Sequence, residues 1–136
     1  MRTVLGIVFG VAAALLIVGA AESIETALYP LPALDNADPA TLAGVVADMP
    51  LAAKLLIVAG WPIGAFGGAW LGLRVCDRRV AAGIVVAAVM AAALANVLTL
   101  PHPVWMIICA VVLPVLGGAL AVGVHRKPYR GEALLG

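Results

Sequence analysis

The stretch Gly60-Trp61-Pro62-Ile63-Gly64-Ala65-Phe66-Gly67-Gly68-Ala69-Trp70-Leu71-Gly72 carries a glycine at every fourth position, Gly60, Gly64, Gly68 and Gly72, in a segment without a charge. Residues four apart share one face of a helix. In lipid, apolar surface gains nothing by leaving water, so such a row serves to let another helix backbone come close. The stretch reads as a membrane-spanning helix with a packing face. The fold expected around it is an all-α integral membrane four-helix bundle in a single domain.

Composition outside this stretch agrees. Of 136 residues, 65% are hydrophobic and 11% charged, against roughly 45–50% and 25% in an ordinary soluble domain. Besides residues 55–73, uncharged runs cover 3–21, 80–100 and 103–124, each long enough to cross a hydrocarbon core of ~30 Å. The spans are expected at about 3–28, 51–73, 80–100 and 103–124. The lipid bilayer is therefore the first partner.

Charge is sorted between the two sides of such a bundle. Arg2, Arg74, Arg78, Arg79, Arg126, Lys127 and Arg130 fall on one side. Glu22, Glu25, Asp35, Asp38 and Asp48 fall on the other, where Lys54 is the only basic residue. The positive-inside rule makes both termini and the 74–79 loop cytoplasmic. A bacterial cytoplasmic (inner) membrane is the expected location. A secretory leader is the rival reading of the first segment, since Arg2 precedes an apolar run ending in Val18-Gly19-Ala20-Ala21. It is expected to remain as the first span. Cys76 and Cys109 fall at different depths, too far apart for a disulfide.

The first helix is expected to continue to Tyr29, because Pro30 pushes its predecessor out of the helical region. Glu22, Glu25 or Thr26, and Tyr29 then share one face at its outer end. Glu22 lies ~28 Å of helix rise beyond Thr3, near the outer interface. These residues either form a solvated extension with a tyrosine anchor or turn a carboxylate into the bundle, where intramembrane acids mark ion paths. Beyond Pro32, Asp38-Pro39 pairs an N-cap with a proline at the first helical position. Leu42, Val45, Val46 and Met49 follow at helical spacing. A short amphipathic helix is expected over 38–49, as a connector on the lipid head groups or a lid over a pocket.

Further polar or kinking residues lie within the spans. Pro62 removes a backbone donor and frees the carbonyl of Val58. Trp61 beside it either fills the bundle or lines a cavity, and its N–H needs a partner. In the third span, Gly83, Ala87, Ala91, Ala95 and Thr99 form a second ladder, expected to face the glycines of the second span in the tightest helix pair of the bundle. Asn96 lies one position from that ladder, at a depth similar to Glu22. It serves as interhelical glue or as part of a polar site with His102, Glu22 and Glu25.

Laying residues 25–32 on 96–103 matches two prolines and sets Asn96 opposite Glu25. Pro62 with Gly67-Gly68 likewise matches Pro114 with Gly117-Gly118. This reads as a two-helix hairpin repeated in one orientation, a plan known in transporters.

Glu22-Ser23-Ile24-Glu25-Thr26-Ala27-Leu28-Tyr29-Pro30, Trp61 with Gly67-Gly68, and Asn96 with Pro101-His102-Pro103-Val104-Trp105 resemble small bacterial four-span membrane proteins over nearly the whole chain. The resemblance implies the fold and no activity. A histidine is expected in that family where this chain has Thr26. The small multidrug exporters are similar in size and span count, but they carry a glutamate midway along the first span, whereas Glu22 is near its outer end.

No HExxH, CxxC or phosphate-binding loop is present, and Ser23 is the only serine, so an enzyme is not expected. Nor is a cofactor, a metal or a nucleic-acid partner, because the basic residues are accounted for by topology. Two readings stand. One is a transport or channel module, a homo-oligomer with Glu22, Glu25, Asn96 and His102 at a polar mouth. The other is an accessory or scaffold protein whose ladders pack a membrane partner's helices. Gly6 and Gly10 offer one candidate seam between copies.

Overall fold

A computed structural model of the chain describes residues 1–30, 38–99 and 102–126. Pro32, Asp35, Pro101, Lys127 and Arg130 lie outside the described residues. The described chain is all-helical: α1 (Arg2–Leu28), α2 (Pro39–Asp48), α3 (Leu51–Cys76), α4 (Arg79–Thr99) and α5 (Val104–Val124). All but α2 are long and apolar enough to cross a membrane.

Local chemistry sets each helix end. At the end of α1, Tyr29 leaves helical geometry before Pro30, and its N–H reaches back to the Glu25 carbonyl at 2.8 Å. Asp38 caps α2, accepting the Thr41 backbone N–H at 2.9 Å, with Pro39 in the first turn. Pro50 separates α2 from α3. Asp77 closes α3 in the left-handed region, φ 49°, with its N–H on the Leu73 carbonyl. Aspartate is among the few L residues that visit this region readily. Asp77 and Arg78 alone then connect α3 to α4.

Around the bundle the order is α1, α3, α5, α4, with α3 and α4 also in contact across the middle. Among the described residues, α1 and α5 do not touch. The closest approach is between α1 and α3, which run antiparallel with Gly6 against Gly72, Gly10 against Gly68 and Ala14 against Gly64. A Cβ at Gly64 would stand 2.9 Å from the Ala14 carbonyl oxygen, and one at Gly10 would stand 2.8 Å from that of Gly68. Gly60 meets Ala21 and Val18 one turn higher.

This packing corrects two expectations. The glycines of α3 lie against α1, with Gly68 and Gly72 meeting α4 through Val85 and Ala81 rather than through Gly83, Ala87 or Ala91, and Gly6 and Gly10 are consumed inside the chain rather than left for a seam between copies. Gly83, Ala87 and Ala91 are exposed on α4, and a Cβ at Gly83 would meet nothing within 4 Å. Volume explains the difference. Two smooth small faces would leave little to fill the space between α3 and α4, and helix interiors pack densely. Instead α4 turns Val85, Val89 and Val97 inward, and Val85 sits in the hollow left by Gly10 and Gly68.

Trp61 is 0% exposed and stands in the core cluster with Val58, Val89, Ala93, Met106 and Ala110. Below it, Gly117 of α5 lies against the Pro62 carbonyl, where no side chain would fit. Pro114, the interior proline of α5, is itself buried.

Candidate polar site near the alpha2 end

α1 and α4 run parallel, with Val85 beside Gly10 and Asn96 beside Glu22. The Asn96 amide nitrogen donates to Glu22 Oε1 at 3.0 Å. Asn96 Oδ1 is buried without a hydrogen-bond partner. One turn along α1, Glu25 is 5% exposed. Its Oε2 lies 3.4 Å from the Thr26 hydroxyl, whose single proton is shared with the closer Glu22 carbonyl at 2.9 Å. Its Oε1 is buried and unpaired.

The arrangement is rich in acceptors. Two carboxylates and an amide oxygen gather at one end of the α1–α4 contact, and two of their oxygens have nothing to bond. Burying an unpaired polar atom costs roughly 1–3 kcal/mol, which a proton, a cation or a donor-bearing ligand would relieve.

Tyr29 and Trp61 fall elsewhere. Tyr29, half-buried, lines a separate groove of about 470 Å³ with Pro30, Val45, Asp48 and Met49, between the end of α1 and α2. Trp61 lies deeper, and its buried Nε1 has no acceptor. His102, half-buried, sits in the α4–α5 connection.

Two participants escaped the sequence reading. Lys54 is 8% exposed, and its ammonium donates to the Ala47 carbonyl at 3.2 Å, tying α3 to the last turn of α2. Continuing the register that pairs Gly10 with Gly68 puts Lys54 level with Glu25, yet the two form no ion pair. Its isolation as the only basic residue on its side was the available signal. At the opposite end, His125 Nε2 and Asp77 Oδ1 lie 2.9 Å apart. That pairing depends on the left-handed turn at Asp77, which no spacing announces.

Between the two ends the core is apolar: Ala65, Ala69, Leu73, Val85 and Val89 are all nearly fully buried. Cys76 and Cys109 are free thiols. Among the described residues, no group of three His, Cys, Asp or Glu side chains is placed to hold a metal ion. Comparison with protein-family models, with curated proteins and with solved structures finds no match to the chain.

Proposed function

We propose that the chain is a multi-pass protein of a bacterial cytoplasmic membrane, with both termini cytoplasmic, that acts as a transport or channel module for a proton, an ion or a small solute. The observation supporting this reading is the Glu25 carboxylate, buried with one oxygen unpaired, one turn from the Glu22–Asn96 bond. Ionisable groups inside a bilayer are costly, and where they occur they line paths for protons and ions. In this scheme Glu22 and Glu25 take up the proton or cation, Asn96 orients Glu22, and His102 stands at the mouth. The likeness to small four-span bacterial proteins is consistent with the fold and adds no activity.

The test is proton and cation flux into proteoliposomes, wild type beside Glu22→Gln and Glu25→Gln, with and without an imposed gradient. Loss of flux in either variant, with helix content unchanged, supports transport. Absence of flux in folded wild-type protein removes the reading.

A second reading, a non-catalytic scaffold packing partner helices, is favoured by the apolar core between the two ends. A pathway through one copy would have to open that core, so transport calls for a homo-oligomer or a moving bundle. The sequence repeat fits the parallel courses of α1 with α4 and of α3 with α5. A two-fold axis along the bundle, however, would set α1 opposite α4, and these helices are neighbours. We therefore read the repeat as a duplication of sequence without symmetry of packing.

A further inference from the structure

At the end opposite the carboxylates, two cavities adjoin. One, of about 380 Å³, is lined by Leu73, Asp77, Arg79, Val122 and His125. The other, of about 410 Å³, is an apolar groove between α4 and α5, lined by Ala82, Gly83, Val86, Gly118 and Ala119 together with Arg79 and Val122. Arg79 and Val122 belong to both. A polar recess and an apolar furrow thus meet at Arg79 and Val122.

We propose that this composite recess seats one anionic phospholipid, with its phosphate on Arg79 and an acyl chain along the α4–α5 groove. Charge complementarity commits it to an anion. Arg79 has no carboxylate partner among the described residues, Arg78 stands beside it, and the N-terminus of α4 adds partial positive charge. Asp77, the one carboxylate lining either cavity among the described residues, is already bonded to His125. The second, independent observation is His125 itself. Its side chain lines the same recess and is 7% exposed, with Nε2 held by Asp77 and Nδ1 buried without a partner.

The groove distinguishes a lipid from free phosphate. It opens between two helices long enough to span a membrane, where acyl chains are the surrounding solvent. Its depth comes from small residues. Gly83 lines the groove and has open space where a Cβ would stand.

The experiment is retention of phosphatidylglycerol against phosphatidylcholine by the purified full chain, read by native mass spectrometry. Helix content and size-exclusion profile are checked for every variant. Wild type is expected to hold one phosphatidylglycerol in preference. Arg79→Gln should weaken retention about fivefold, the effect of one charge near a membrane surface. Gly83→Leu should weaken it comparably, with Ala119→Leu as a second filler should the first disturb folding. Arg78→Gln removes the same charge from outside both cavities and should weaken retention clearly less than Arg79→Gln does. Equal loss in Arg78→Gln and Arg79→Gln would reduce the effect to diffuse surface charge and overturn the site. Retention unaffected by either filler, or displacement by glycerol 3-phosphate at the lipid's own concentration, would overturn the lipid assignment.

Discussion

Asn96 and Glu22, 74 positions apart, are joined by a single 3.0 Å hydrogen bond because α1 and α4 rise in parallel and in register. The bond is the one described side-chain link between those helices, set above an otherwise apolar contact of Gly10, Ala14, Val85 and Val89. Interhelical hydrogen bonds in membranes contribute about 0.6–2 kcal/mol. Asn96→Ala is expected to destabilise the protein by about 1 kcal/mol, measured by unfolding in mixed micelles. Glu22→Gln keeps an acceptor oxygen for Asn96, so its stability should stay within about 0.5 kcal/mol of wild type. Flux, in contrast, should be lost. A variant that loses both together would assign Glu22 to structure alone.

Two glycines should respond to alanine with opposite signs. At Gly64 a methyl group would stand 2.7 Å from Val18 Cγ2 and 2.9 Å from the Ala14 carbonyl oxygen, so α1 must move away. Overpacking of this kind costs typically ~1–3 kcal/mol. At Gly83 a methyl group meets nothing, and the helix gains roughly 0.5–1 kcal/mol from removing an interior glycine. Gly64→Ala is therefore expected to lower the unfolding midpoint and Gly83→Ala to raise it slightly. Equal effects would contradict the assignment of α1 as the partner of the α3 glycines.

That pair of positions marks where sequence was informative and where it was not. Period-four glycine in an uncharged run identifies a helix that packs closely, and the four long apolar helices of the all-α fold are visible in hydropathy alone. The identity of the partner depends on which faces are complementary in volume. Val85 entering the hollow of Gly10 and Gly68 is such a match, and it turns Gly83, Ala87 and Ala91 outward. In the polar cluster, the similar depths of Glu22 and Asn96 were legible from helix rise. The burial of Glu25 and Lys54 was not, because it depends on the rotation of α1 and α3 about their own axes.

Asp38 supplies a pH dependence. Hydrogen bonding from Thr41, by its side chain first and its backbone N–H second, holds the Asp38 carboxyl below its ordinary value of 3.8. A group whose pKa is lowered by folding stabilises the folded state above its unfolded pKa, and that stabilisation is lost as pH falls through the folded value. Protection of the Thr41 amide against hydrogen exchange should therefore be constant from neutral pH down to the ordinary carboxylate range and fall below it. Asp38→Asn keeps a capping oxygen and should flatten this dependence. An unchanged acid response in that variant would place the titrating group elsewhere.

Asp77 combines a left-handed backbone with the bond to His125, and two substitutions separate these contributions. Both Asp77→Gly and Asp77→Val remove the carboxylate, so loss of the His125 contact is common to them. They differ at φ 49°, which glycine adopts freely and a β-branched residue resists. The left-handed region costs roughly 1–2 kcal/mol for an ordinary L residue. Asp77→Val is accordingly expected to be less stable than Asp77→Gly by about that amount in mixed-micelle unfolding. The difference should persist in a His125→Ala background, because backbone strain does not depend on the imidazole. Equal stability of the two variants in either background would show that the left-handed backbone at Asp77 carries no strain for a β-branched residue.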